Sequence, residues 1–330
     1  MSRIPLSLIP IAFAVISLAG DGRRADRRME TFDPASVNDP AAAGPVGPGT
    51  RGPGAIRAQI LLDRAGFSPG EIDGAYGRNL RVAVLAFQNA RSLPSTGTVD
   101  DAAWQALNAD TAPALVEYVV NDEDVAGPFE PVPEDMLEKA RLPALGYSSI
   151  LEALGEKFHV SPRLLEFMNP GKSLDRAGET VWVPNVLTMP PAGKAARIVV
   201  DKSDSAVQAY DEAGTLMAHY PATMGSHRDP LPIGKWKVNG VQKKPVFHYN
   251  PKLFWDAEPH HAKAKIAAGP NNPVGVVWVD LSKDHYGVHG SPEPAKVGHT
   301  QSHGCIRLTN WDAMELAEMV QPGTPAVLQE

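Results

Sequence analysis

Apolar residues change their spacing several times along this chain, and each change predicts a different kind of element. After Arg3, the run Ile4 to Ala19 is almost wholly apolar and offers small residues, Ser17 and Ala19, at both cleavage positions. Residues 1–20 therefore read as a signal peptide or, uncleaved, as an anchor, and the protein as exported. Arg23, Arg24, Arg27 and Arg28 follow closely and oppose a translocated orientation for an anchor. Pro, Gly and Ala dominate from Asp33 to Gly54. With so few large apolar groups to offset chain entropy, 21–54 reads as a disordered linker.

Helical spacing begins at residue 55. Ile56, Ile60 and Leu61 recur on one face until Gly66 stops the helix. A second helix is expected over about 80–90, with Val84 and Phe87 on one side, and a short third over 101–107 around Trp104. These make a three-helix domain at 55–110. Between 115 and 186 the expected order is strand, helix, helix, strand: Tyr118-Val119-Val120, then Ser149 to Lys157, then Arg163 to Met168 after a Ser161-Pro162 cap, then Glu179 to Pro184. Residues 123–145 are extra within that pattern. From 196 to 329 short runs split by Asp, Ser and Gly predict strands, among them Arg197 to Val200, Ala206 to Tyr210 and Val276 to Val279. One helix closes this part, started by Thr309 and Asp312 as a capping box with Ala313, Leu316, Ala317 and Val320 facing inward. The fold class is thus multidomain α+β, ending in a mostly β domain.

Charge and cysteine usage narrow the function. A formal net charge of −7 supplies no basic field to hold nucleic acid, which is excluded as a partner. The single cysteine, Cys305, can form no intramolecular disulfide, and a lone thiol in an oxidising compartment needs a task. An arbitrary cysteine is most often a small buried hydrophobe. The neighbours here point to chemistry instead: Tyr286-Gly287-Val288-His289-Gly290, then, after an interval, Ser302-His303-Gly304-Cys305-Ile306-Arg307. Sulfur attacks acyl carbons as thiolate, and a free thiol is mostly protonated at neutral pH, so a base is required. His289 on a neighbouring strand can take the proton and return it to a leaving amine. The Gly290 carbonyl can orient its other ring nitrogen. Gly304 allows unusual backbone angles, so that its N–H and that of Cys305 can face an oxyanion. Arg307, two residues past the nucleophile on a strand, shares its face.

The stretches Gly70 to Gly77, Ala83 to Gln88 and Gly97 to Asp100 resemble the three-helix peptidoglycan-binding domain of wall enzymes. Either they bind sugar or stem peptide, or Asp73, Gly74 and Gly77 only form a tight turn that packs the helices. Residues 115–186 resemble a LysM-type β-α-α-β glycan binder, the rival being a spacer. The His289-Gly290 and Ser302 to Arg307 motifs, with Met224-Gly225, Pro232-Ile233-Gly234 and Ala268-Gly269-Pro270, resemble the YkuD-type L,D-transpeptidase domain over 196–329, a β-sandwich. That resemblance implies attack by Cys305 at the third stem-peptide residue with loss of terminal D-alanine. The acceptor is then a second stem peptide (3→3 cross-link), an outer-membrane lipoprotein lysine, or water. It implies carbapenem acylation of Cys305, substrate contacts from Tyr286, Gly287, Ser302, His303 and Arg307, a wall-associated place in the periplasm or cell envelope, and no cofactor.

Two rivals are weighed beside it. Histidines 260, 261, 285, 289, 299 and 303 suggest a metal, but His285 and His289 on one strand would stand roughly 13 Å apart. Metal ligands are therefore expected to be none, with His260 and His261 as exposed loop residues. A wall binder with a retired active site is the other, and the intact His289 and Cys305 argue against it. Trp255 is read as core or rim, with a lid over the site formed by Phe254-Trp255 as the alternative.

Overall fold

The computed structural model describes residues 32–41, 44–186 and 193–330; the leader expected at 1–20 lies outside them. Helices α1 (Pro34–Asn38), α2 (Pro53–Arg64), α3 (Arg78–Ala90) and α4 (Asp101–Leu107) form the first part. The linker expectation fails over the described residues of 33–54. Val37 and Val46 are fully buried, Val46 pairs with Val99, and the Arg57 guanidinium donates to the carbonyls of Val37 and Asn38. Two valines and a buried cation that satisfies the chain's carbonyls are enough to fix a segment whose composition promised nothing.

Helix α2 is buried on two sides. Leu61 and Leu62 pack with Phe67, Leu80, Val84, Phe87 and Trp104 in the helical core, whereas Ile56 and Ile60 face Leu154, Phe158, Val160 and Leu164 of the next module. The single face expected of α2 is therefore two. Gly66 ends the turn after it at φ +84°, where a side chain would also strike the Met217 carbonyl 2.9 Å away.

The Gly70 to Gly77 motif is a joint. Ile72 is fully buried and bridges to Val160, its N–H donating to the His159 carbonyl and its carbonyl accepting from Ser161. Gln59 holds Asp73 and the Gly74 N–H. The motif therefore packs the helices against the next module, which leaves the reading of sugar or stem-peptide binding open beside it.

Strands β1 (Leu115–Val119) and β2 (Thr180–Pro184) pair antiparallel around α7 (Ile150–Lys157) and α8 (Pro162–Met168), giving the expected β-α-α-β order. Ser161 caps α8 with Pro162 in its first turn. The extra segment carries α5 (Asp122–Val125) and α6 (Met136–Lys139), and it does not float free. Leu145 donates to the Ala268 carbonyl and accepts from Asn271, and it packs with Tyr249 and Ile266 of the last domain.

That domain contains β3 (Arg197–Asp201), β4 (Ala206–Tyr210), β5 (Leu216–Pro221), β6 (Thr223–Met224), β7 (Gly234–Lys243), β8 (Phe247–Tyr249), β9 (Ala264–Ile266), β10 (Val277–Leu281), β11 (Gly287–His289), β12 (Ile306–Arg307), α9 (Asn310–Met319) and β13 (Pro325–Gln329). Among the described residues nine strands run in the order β5-β4-β3-β13-β7-β10-β11-β12-β6, and β8 with β9 forms a separate hairpin. β7 belongs to both halves: Gly234 to Lys237 pair with β13, and Val238 to Lys243 pair with β10. A strand that passes between sheets lets the two halves turn toward one core. Ile198, Val207 and Tyr220 from one half meet Val279, Val288 and Ile306 from the other, with Leu316 of α9 among them. Thr309 caps α9 by accepting from the Asp312 N–H, but Asp312 Oδ2 has no partner, so half of the expected box is present.

Candidate active site

Parallel pairing of β11 with β12 sets the site. Val288 stands opposite Ile306 and His289 opposite Arg307. Side chains at every second position share a face, so Cys305, Arg307, Gly287 and His289 lie on one side while Val288 and Ile306 enter the core. The two elements the sequence separates by a loop are therefore neighbours.

His289 is 3% exposed, and its Nδ1 sits 2.7 Å from the Gly290 carbonyl. That contact places the ring proton on Nδ1 and leaves the lone pair on Nε2. Trp278 of β10 stacks on the ring at 5.4 Å and 16°. The same indole explains Gly287, where an added Cβ would come 2.5 Å from it. Trp278 thus leaves no room for a side chain at 287, a steric need that comes beside the expected substrate contact. Burial, helped by the Arg307 charge, pushes His289 down to about 3 against the pull of the Gly290 bond.

Cys305 is partly accessible. Its Sγ lies 3.6 Å from the His285 carbonyl, and burial pushes the thiol up although the Gly287 N–H and Arg307 pull the other way. Burial therefore favours the neutral form of both side chains. Gly304 sits at φ +104°, where a Cβ would approach the Tyr286 ring to 3.0 Å. Burial raises the Tyr286 phenol, with the neighbouring Cys305 adding to the effect. Arg307 is lowered by burial and faces Cys305, Glu293 and Asp256.

Ser302, expected at the substrate, is 4% exposed and donates from Oγ to the Cys305 carbonyl at 2.6 Å. It fixes the turn that carries the nucleophile, because a buried hydroxyl must spend its proton on a nearby acceptor. His303 sits under the segment read as a lid, with Phe254 and Trp255 rings 5.1 and 5.3 Å away and Asp256 Oδ1 2.9 Å from its Nε2. Its Nδ1 is buried without a partner. Arg228 lies over Trp255 at 4.4 Å.

His285 is at φ +67° in the turn before β11, so the one-strand spacing argued against a metal does not hold there. Asp135, His260 and His261 bring one potential ligand atom each within 4.8 Å of one another. His261 is nevertheless not the exposed loop residue expected: its ring nitrogens meet Tyr249 Oη and Asp135 Oδ2, each at 2.8 Å. Both are already spoken for by the β8–β9 hairpin and the extra segment.

Trp278, stacked on His289, and Asp256, bonded to His303, belong to the site and escaped sequence reasoning. Neither lies at a spacing from His289 or Cys305 that a local pattern could reveal.

Residues 195–328 match the family described as the L,D-transpeptidase catalytic domain, and 51–107 match the "Putative peptidoglycan binding domain". The "Putative L,D-transpeptidase YkuD" of Bacillus licheniformis is 29% identical over 176 residues, covering 53% of this chain and 90% of that protein. The "Probable L,D-transpeptidase YbiS" of Escherichia coli K12 is 26% identical over 185 residues, 54% of this chain and 60% of the relative. An L,D-transpeptidase structure from Xylanimonas cellulosilytica aligns with 17% identity and a TM-score of 0.37, covering 85% of this chain and 95% of that one. Residues 195–328 are an L,D-transpeptidase catalytic domain, joined in this chain to a peptidoglycan-binding domain at 51–107.

Proposed function

We propose that this protein transfers acyl groups between peptidoglycan stem peptides through a thioester on Cys305. What carries the reading is the β11–β12 register, which sets Cys305, His289 and Arg307 on one face with His289 Nδ1 held by Gly290. His289 Nε2 takes the thiol proton as sulfur bonds to the carbonyl carbon of the third stem residue. The N–H groups of Gly304 and Cys305 face the oxyanion, a contribution of about 2.7–4 kcal/mol per donor in comparable holes. Collapse expels D-alanine, whose amine leaves with the proton from His289. An acceptor amine then attacks the thioester and gives up a proton to the now neutral His289, which passes it to sulfur as cysteine leaves as thiol.

Neutral partners, which burial favours, fit this order of events. A neutral imidazole can accept a proton, and the proton moves only when a substrate shares the site. His303 Nδ1 is a polar atom left over for a substrate group, beneath the Phe254 and Trp255 roof. Arg307 suits a stem-peptide carboxylate. A second stem peptide gives a 3→3 cross-link, a lipoprotein lysine gives a tether, and water gives trimming. The place of work is the cell wall, reached by export through the leader at 1–20.

Incubating the purified protein with disaccharide-tetrapeptide and separating the products by mass spectrometry tests this. We expect cross-linked dimers and released D-alanine, both lost in Cys305→Ala while binding to isolated wall persists. Dimers formed equally by Cys305→Ala would refute the proposal.

A further inference from the structure

We propose that Glu156 is a positioning residue for His289, so that the 115–186 module holds the catalytic base from outside the catalytic domain. The inference rests on the reading of His289 as base. Glu156 stands on α7, near the end of a helix otherwise engaged with α8 and the module's own core. It is 9% exposed, and both carboxylate oxygens accept from Asn310 Nδ2, at 2.8 and 3.0 Å. Tyr147 Oη donates to it at 3.3 Å.

Asn310, the first residue of α9, is the next link. Its Oδ1 accepts from the Val276 N–H at 3.2 Å and lies over Gly275 and Gly290 so closely that neither position has room for a Cβ. Gly290 is the residue whose carbonyl holds His289 Nδ1. A carboxylate on α7 thus fixes an amide on α9, the amide fixes the Gly275 and Gly290 backbones, and Gly290 fixes the imidazole. Without Glu156, Asn310 Nδ2 keeps the Pro270 carbonyl at 3.1 Å. One remaining bond lets the amide rock and the Gly290 carbonyl follow it.

A buried carboxylate among few donors is costly to keep, and burial raises Glu156 to about 7 against the pull of Asn310 and Tyr147. The neighbouring Glu152 carboxylate adds to the rise and is itself engaged by Asn271 Nδ2 at 2.7 Å. Whether ionised or neutral, Glu156 offers an acceptor to Asn310, so its role lies in the accepted hydrogen bond. A glutamine of the same shape preserves that bond and an alanine does not.

The full-length protein is assayed with a tetrapeptide donor as wild type, Glu156→Ala, Glu156→Gln, Asn310→Ser and His289→Ala. A positioned base contributes about 10²–10⁴-fold, and loosening it forfeits part of that. We expect Glu156→Ala and Asn310→Ser to lose about tenfold or more in kcat with KM within twofold, and Glu156→Gln to stay within threefold of wild type. The Nδ1 proton resonance of His289 in the NMR spectrum is expected in wild type and Glu156→Gln and broadened in the other two. Should Glu156→Ala not fold, Asn310→Ser breaks the same contact from its other end. Folded Glu156→Ala or Asn310→Ser with unchanged kcat and an intact Nδ1 signal overturns the proposal while His289→Ala remains inactive. Activity surviving in His289→Ala overturns the base assignment itself.

Discussion

Trp278, Gly287 and His289 form one packing decision: the indole covers the imidazole and leaves no space for a side chain at 287. That decision keeps His289 dry and favours its neutral form. The thiol, pushed up by its own burial, is favoured as neutral as well. Alkylation of Cys305 by iodoacetamide should consequently show no thiolate plateau between pH 5 and 7, and its rate should climb only as the solution becomes alkaline, which stopped-time mass spectrometry can follow. A flat, fast rate across neutral pH would mean a standing ion pair. The sequence made Cys305, His289, Gly290 and Gly304 legible because their roles follow from chain neighbours: a carbonyl one residue on, a glycine one residue back. Ser302 and Gly287 looked the same in the sequence as residues that touch substrate. The work the fold shows for them, a hydrogen bond to the Cys305 carbonyl and clearance for Trp278, depends on neighbours that the sequence does not reveal.

Long, strongly patterned elements were readable. The helix expected over 101–107 is α4 without change, and α3 begins two residues before its expected start, as fraying ends allow. The β8–β9 hairpin was not readable, since three-residue strands are too short to display a period, and its partner is the extra segment at 123–145. Element ends carry function here as well. Thr309 is fully buried and caps α9 directly before Asn310, so Thr309→Ala should lower unfolding stability by about 1 kcal/mol, up to about 2. Urea denaturation checks the loss, and a variant as stable as wild type would show that the cap is dispensable.

At the scale of the whole molecule, the three parts interlock through buried contacts that no composition argument anticipates. Ile56 and Ile60 reach into the second module, Phe67 bridges to His219 of β5, and Asn79 Nδ2 donates to the Val297 carbonyl. Several acids sit at these junctions. Burial raises Glu71, Glu156 and Glu315 each to about 7 and Asp312 well above the carboxylate range. The three glutamates stabilise the fold fully below their unfolded values near 4.5 and lose that stability as pH rises through about 7, and raised Asp312 acts in the same direction. Buried His219 and His289, lowered to about 4 and about 3, act oppositely: their contribution is full above 6.5 and is lost as pH falls toward those values. Four acids outweigh two histidines between these limits, so the melting temperature should fall as pH rises from 5.5 to 7.5, as calorimetry can record. A rise over that range would contradict the buried-acid account. The central claim remains chemical, and peptide mapping after exposure to a carbapenem tests it most directly. The account predicts one covalent adduct, on the peptide containing Cys305, formed far more slowly in His289→Ala and absent in Cys305→Ala; no adduct at that sulfur, or one indifferent to His289, would contradict it.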